Sequence, residues 1–299
     1  MRLCLSLAIT AGMMLSSTSL IAVENVTIRA DVVYDHKDGM ALTMDLLVPP
    51  QPNGATILFL RSGAWYSAWT DPQEAIPDWK LFLDHGFTVG IVRHGSAPKY
   101  TVPEALDDVR RCIRFIHKEE AALGIDASRL GVCGESAGGH LTLMLTTTGD
   151  DGDPSAADPL LRFSSRVATG AAICPPTDLR GWTTHPPRGI AEIEGLKEPL
   201  TFDAALEDDV SPLLHVTADD APVLMLHGDK DTVVPIEHSR NMLAACERAG
   251  VPARLFVAEG GGHGFSPGRK EKTIRPEMLR WFKEHLSNRQ SPQEPRGVK

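Results

Sequence analysis

Arg129-Leu130-Gly131-Val132-Cys133-Gly134-Glu135-Ser136-Ala137-Gly138-Gly139-His140 is the stretch that decides how this chain is read. Residues 129–133 form a short apolar run of strand type, and 137–146 read as a helix. Between them, G-x-S-x-G places a serine on a sharp turn. Glycines suit both flanks because such a turn is tight, its backbone is strained and the neighbouring helix lies close. The hydroxyl is thrust out above the end of the sheet, and the amide after it points at the same spot. The five-letter pattern alone is common, and the strand-turn-helix context gives it force.

Outward from this turn the pattern alternates. Residues 26–34 and 41–48 read as strands joined by the turn-rich Asp35-His36-Lys37-Asp38-Gly39. Residues 55–60 and 88–92 are apolar runs of the kind buried on both faces. Val102, Leu106, Val109, Ile113 and Ile116 recur at 4-3-4-3 spacing, an amphipathic helix with Pro103 in its first turn and Glu104, Asp107 and Asp108 near its positive end. Downstream, 167–174, 223–226 and 253–257 read as strands. Helices follow at 236–249, ended by Gly250, and at 273–286. This alternation predicts one α/β domain over 24–286, with a mostly parallel central sheet, helices on both faces and an antiparallel N-terminal edge. Residues 147–165 read as a loop and 287–299 as a flexible tail. The stretch 175–220 is long for a connection and reads as a short lid-like insertion.

The 299 residues are 42% apolar and 23% charged, which excludes a disordered chain, a heptad rod and a small cysteine-stapled scaffold. Thirty Lys+Arg against 39 Asp+Glu, without a basic block, argue against nucleic acid or an anionic membrane as partner. Residues 1–19 read as a secretory signal peptide: Met1-Arg2, the apolar run 3–15, then small Ser17 and Ser19 before the cut, with cleavage after Ala22 as an alternative. A hydrophobic helix packed on the domain is the competing reading of this segment. The run is too short for a membrane span, so the expected location is secreted or periplasmic, with no integral membrane segment. Export would leave Cys112, Cys133, Cys174 and Cys246. An even number in an oxidising compartment permits disulfides, with three possible pairings. None has metal-ligand spacing, however, and all lie in apolar segments, which favours free thiols acting as small buried hydrophobes.

A serine nucleophile needs a base, and the base needs an orienting acid. His227-Gly228-Asp229-Lys230-Asp231 follows the strand at 223–226, and Glu259-Gly260-Gly261-Gly262-His263-Gly264-Phe265 follows the strand at 253–257. Each lies past the carboxyl end of a strand, where ligands bind in open α/β sheets. Within the first loop, spacing leaves Asp229 and Asp231 both open as the acid.

Together these motifs resemble an α/β-hydrolase of the acetyl esterase/lipase group, similar to hormone-sensitive-lipase-like bacterial esterases. The resemblance runs from about residue 55 to 286 and is carried by three ordered stretches. Gly134 to Gly139 matches the elbow G-[DE]-S-A-G-G, His227 to Pro235 matches H-G-x-x-D-x-x-V-P, and Gly262 to Phe265 matches G-H-G-F. It implies Ser136 as nucleophile, His263 as base and, by selecting within the acid loop, Asp231 as acid. The family's oxyanion loop is usually H-G-G-G-W or H-G-G-A-W; here it is Arg61-Ser62-Gly63-Ala64-Trp65. By position, the amides of Gly63, Ala64 and Ala137 are the implied oxyanion donors. Arg61 reads more readily as a salt-bridged loop anchor than as a substrate-binding cation.

Trp65, Tyr66, Trp69 and Trp182 are candidate substrate-binding aromatics, with wall packing as the alternative. Arg93 and Asp108 are expected to pair beneath the site, Asp229 to be a turn residue, and Glu135 and His140 to have no catalytic role. The expected protein is therefore an exported serine hydrolase. It would cleave short-chain carboxylic esters through an acyl-enzyme, without metal or organic cofactor, on a small-molecule ester such as an acylated carbohydrate. The rivals are an amide hydrolase on the same fold (a formamidase or a dipeptidyl-type peptidase) and a catalytically silent binding protein. Oligomeric state is left open.

Overall fold

The computed structural model describes residues 25–287 apart from 193, 194 and 196. The expected signal peptide and most of the expected tail lie outside the described residues. Eight strands form one sheet: β1 (Thr27–Lys37), β2 (Met40–Val48), β3 (Thr56–Leu60), β4 (Thr88–Val92), β5 (Leu130–Glu135), β6 (Thr169–Ile173), β7 (Val223–Gly228) and β8 (Ala253–Ala258). Their spatial order is β1-β2-β4-β3-β5-β6-β7-β8. The β1–β2 and β2–β4 pairs are antiparallel and the rest parallel, so the antiparallel edge falls at the N-terminal side as expected. The β1–β2 turn is shorter than the pentapeptide in the sequence. Only Asp38 and Gly39 lie between the strands, both at positive φ, which is the backbone a two-residue hairpin needs.

Among the described residues the α-helices are α1 (Pro72–Leu83), α2 (Val102–Leu123), α3 (Ala137–Thr147), α4 (Arg188–Ala191), α5 (Glu237–Ala249), α6 (Pro267–Arg269) and α7 (Arg275–Leu286). Alternate residues of the strands supply the two faces. Leu58, Leu60 and Val132 pack with α2 and α3, while Ile57, Ile91, Cys133 and Ala171 pack with α1 and α7. A smaller cluster joins Ala172, Val223 and Met225 to Met242 and Cys246 of α5. The sheet is thus covered on both sides, as its unbroken apolar strands require. Helix α1 has no counterpart in the sequence reading. Pro77 stands inside it and hides a helix whose Ala75, Trp79, Phe82 and Leu83 are buried on one face.

The stretch 175–220 is short helical turns around α4, and Leu179, Trp182, Ile190, Leu200 and Val210 sink into the same core as α2 and α3. All four expected thiols are free and buried. The expected Arg93–Asp108 pair does not form. Arg93 sits at the end of β4, next to β2, and binds Asp45 and Asp31 instead (2.9 Å to Asp31). Asp108 accepts from Lys37 Nζ at 3.0 Å and from the Gly95 amide at 2.8 Å. No helix among the described residues is long and apolar enough to cross a membrane.

Candidate active site

Ser136 closes the β5–α3 turn at φ 54°, ψ −116°, a conformation that L-residues rarely adopt. It is held there from three sides. Its own amide donates to the Ile173 carbonyl at 2.8 Å, its carbonyl accepts from His140, and the Gly138 amide donates to the Ser62 carbonyl at 3.2 Å. The flanking glycines are a steric requirement. A Cβ on Gly134 would stand 2.3 Å from the Gly138 carbonyl carbon, and one on Gly138 would stand 2.5 Å from the Leu60 oxygen.

Around this turn the β7 and β8 loops bring in the acid and the imidazole. His263 Nε2 lies 2.9 Å from Ser136 Oγ, and His263 Nδ1 lies 2.7 Å from Asp231 Oδ2. Asp231 lies within 4 Å of no base but His263 and His227 among the described residues, and its side chain is fully enclosed. Its Oδ1 accepts from the Val233 and Val234 amides, both at 2.9 Å. Burial would raise its pKa, but hydrogen bonds from His227 and His263, the His263 charge and the Val234 amide outweigh that. They hold the carboxyl well below the usual carboxylate range. It is therefore anionic whenever the imidazole needs it.

Asp229, the other acid that spacing left open, turns away and accepts from the Gly260 amide at 2.6 Å. It ties the acid loop to the base loop, as a turn residue would. His227 is a contributor that the sequence reading passed over. Its Nε2 faces two acceptors, the Val234 carbonyl at 2.9 Å and Asp231 at 3.3 Å, so it carries the hydrogen, and Nδ1 accepts from Ser239 Oγ at 2.7 Å. Its four-residue spacing from Asp231 was the available signal.

The loop after β3 departs from expectation at one of its two amides. Gly63 and Tyr66 form an isolated bridge in which the Gly63 amide donates to the Tyr66 carbonyl at 3.0 Å. That amide is committed. Among the described residues, the Ala64 and Ala137 amides have no acceptor. Ala64 and Trp65 both sit at positive φ (49° and 58°), and this bend is what closes the bridge. Ser62 does not spoil the loop. Its hydroxyl turns inward and donates to His94 Nε2 at 2.8 Å, while His94 Nδ1 donates to the Gly95 carbonyl at 2.8 Å. Burial pushes the His94 pKa down to about 4, so the ring is neutral.

Trp65 is buried and donates from Nε1 to His140 Nδ1 at 3.2 Å; His140 Nε2 donates to the Val210 carbonyl at 2.7 Å. Helix α3, the oxyanion loop and the 175–220 insertion are thereby linked, which explains His140 without a catalytic role. Burial likewise pushes its pKa down to about 4. A cavity of about 560 Å³ opens above Ser136, with Trp65, Trp182, Ile190, Val233 and His263 in its wall. Tyr66 and Trp69 do not line it, and Trp69 is 59% exposed, so the expected platform reduces to Trp65 and Trp182. Arg61 lines the cavity with no ion pair to any described carboxylate, which removes the salt-bridged anchor. The two carboxylates that share its cavity wall, Glu135 and Asp78, are paired with Lys270 and Arg275.

A mostly parallel sheet with a serine on its β5–α3 turn, and carboxylate and imidazole on the carboxyl-end loops of β7 and β8, defines an α/β-hydrolase of the esterase group. More particularly, the chain belongs to the BD-FAE family, whose model matches residues 44–245. A second model, described as TAP-like protein, matches residues 206–291. Ethyl acetate hydrolase of Pseudomonas putida is 31% identical over 79% of this chain and 75% of its own length. Probable carboxylic ester hydrolase LipM of Mycobacterium tuberculosis is 25% identical over 63% of this chain, which spans only 44% of that protein. A truncated carbohydrate esterase from gut microbiota superposes with a TM-score of 0.70 at 25% identity, covering 87% of this chain and 96% of that one.

Proposed function

We propose that this protein is an exported serine esterase that hydrolyses short-chain carboxylic esters through an acyl-enzyme. The observation that carries the proposal is the continuous line Ser136–His263–Asp231, with contacts of 2.9 and 2.7 Å. Ser136 Oγ attacks the ester carbonyl while His263 Nε2 takes its proton. Asp231 holds the imidazole in the tautomer that presents Nε2 as the acceptor and stabilises the cation that forms. The tetrahedral oxyanion is received by the Ala64 and Ala137 amides. His263 then returns the proton to the leaving alcohol, and water, activated by the same imidazole, releases the acid.

The short-chain preference rests on the wall, where the bulky rings of Trp65 and Trp182 stand beside Ser136. Similarity to a carbohydrate esterase and to ethyl acetate hydrolase supports small acyl groups, with an acylated carbohydrate as one substrate class. Export rests on the apolar run 3–15 behind Met1-Arg2.

The decisive test is turnover of p-nitrophenyl esters from C2 to C16 by wild type and Ser136→Ala, with fluorophosphonate labelling of the serine. The expected profile peaks at C2–C4 and is lost by about C10, and Ser136→Ala loses roughly 10³-fold or more. An optimum at C8 or beyond would make the aromatics the walls of a deep groove. Near-parental turnover by the serine variant would remove Ser136 as nucleophile. Edman sequencing of protein recovered outside the cytoplasm is expected to start near Leu20 or Val23, and a mature chain starting at Met1 would refute processing.

A further inference from the structure

We infer that the site is built for esters carrying a carboxylate, and that Arg61 is the residue that receives it. The inference deepens the reading of Ser136, His263 and Asp231 as a hydrolytic triad and rests on it.

Arg61 directly follows β3, and its amide is fixed by the Val92 carbonyl at 2.9 Å. Its half-buried side chain lines the Ser136 cavity and also the adjoining chamber of about 310 Å³ between α1 and the turn at 270–274. Among the described residues, every arginine side chain but two has a hydrogen bond or ion pair. The two are Arg248, exposed on α5, and Arg61.

Two carboxylates share the wall with Arg61, but both are engaged. Glu135 is held by Lys270 at 2.6 Å and Asp78 by Arg275 at 3.0 Å. Glu74, the remaining acid of the smaller chamber, is exposed on the first turn of α1. Once the paired charges cancel, the wall beside the nucleophile presents one unpartnered guanidinium. A partly desolvated cation without a counter-ion is unfavourable, and its planar fork matches a carboxylate through two parallel N–H···O bonds.

Position bounds the ligand. Arg61 lies three residues before Ala64, so their Cα atoms are at most about 10 Å apart. A carboxylate bound by the guanidinium therefore sits a short way from the ester carbonyl. Two kinds of compound satisfy this: a monoester of a small dicarboxylic acid, and an acyl ester of a hydroxy acid or carboxylate-bearing sugar. They share the chemistry and differ in which half of the ester bears the charge.

Two matched pairs separate them. 4-Acetoxybenzoate against its methyl ester puts the carboxylate on the alcohol side, and monomethyl against dimethyl glutarate puts it on the acyl side. In wild type, kcat/KM for the anionic member of one pair is expected to exceed that of its neutral partner by about tenfold. Arg61→Gln collapses that ratio, and Arg61→Lys restores part of it. No preference in either pair, or a preference that survives Arg61→Gln, overturns the inference. Failure of the triad reading would look different, as ester turnover that persists in Ser136→Ala. If none of these esters turns over, fluorophosphonate labelling of Ser136 reads the same pocket. Glutarate is expected to slow labelling of wild type and not of Arg61→Gln, and equal labelling rates with and without glutarate in wild type would overturn the proposal.

Discussion

His94 and His140 brace the oxyanion loop from below, and both are neutral in the fold because burial pushes each pKa from 6.5 down to about 4. Lowering the pH tests that arrangement. Both groups have folded pKa values below the unfolded value, so the unfolded chain takes up protons first as pH falls. Their contribution is whole above about pH 6.5 and is lost progressively from there to about pH 4. At pH 5 each unfolded imidazole is about 1.5 units below its pKa and almost fully charged, while each folded ring is still mostly neutral. That difference is worth about 2 kcal/mol per histidine, or about 4 kcal/mol for the pair. His238, whose pKa is also lowered by burial, adds to the loss with the same sign. Asp231 is held low and makes its own loss only below its unfolded value of 3.8, outside this window. Urea unfolding followed by tryptophan fluorescence at pH 7.5, 6.5, 5.5 and 5.0 measures the slope. His140→Gln keeps a donor for the Val210 carbonyl and an acceptor for Trp65 Nε1, and is expected to remove about half of the loss of the pair. Asp108 and Asp220, whose pKa values burial raises, act with the opposite sign in both proteins. The difference between wild type and His140→Gln is therefore the diagnostic, and equal losses from pH 7.5 to 5.0 would mean that the His140 ring is not buried and neutral.

Asp231→Asn is expected to lower kcat far more than Asp229→Asn, because it favours the wrong imidazole tautomer whereas Asp229 only receives the Gly260 amide; equal losses in steady-state assays would shift the acid's role. Gly138→Ala brings a Cβ to 2.5 Å from the Leu60 oxygen, which must displace the elbow or the oxyanion loop. Activity is expected to fall at least about tenfold with a lowered Tm, and a fully active, equally stable variant would show that the close approach is not required.

The strands, the mostly parallel character of the sheet and the elbow were legible in the sequence because their signals are local. Short apolar runs mark strands buried on two faces, and glycines mark a turn that only they can fit, so Ser136 could be named from its neighbours alone. His263 was equally visible in its glycine-crowded loop at a strand's carboxyl end. The choice between Asp229 and Asp231 was not local, since both lie in one loop two residues apart. The family pattern pointed to Asp231, and the physical reason lies in the tertiary structure: once β7 and β8 are paired, that carboxylate faces the imidazole while Asp229 turns to the Gly260 amide. Helix α1 was hidden because Pro77 obscures a periodicity that burial against the sheet sustains. The pairing of Arg93 with Asp31 and Asp45, the commitment of the Gly63 amide to Tyr66, and the unpaired Arg61 in the cavity wall all depend on which chains lie side by side. Sequence by itself determined the elements and the reacting residue types, through periodicity and turn sterics. Hydrogen-bond partners and the charge left over in the site belong to the tertiary structure alone, because donors and acceptors distant in sequence can choose one another only after the sheet has brought them within about 3 Å.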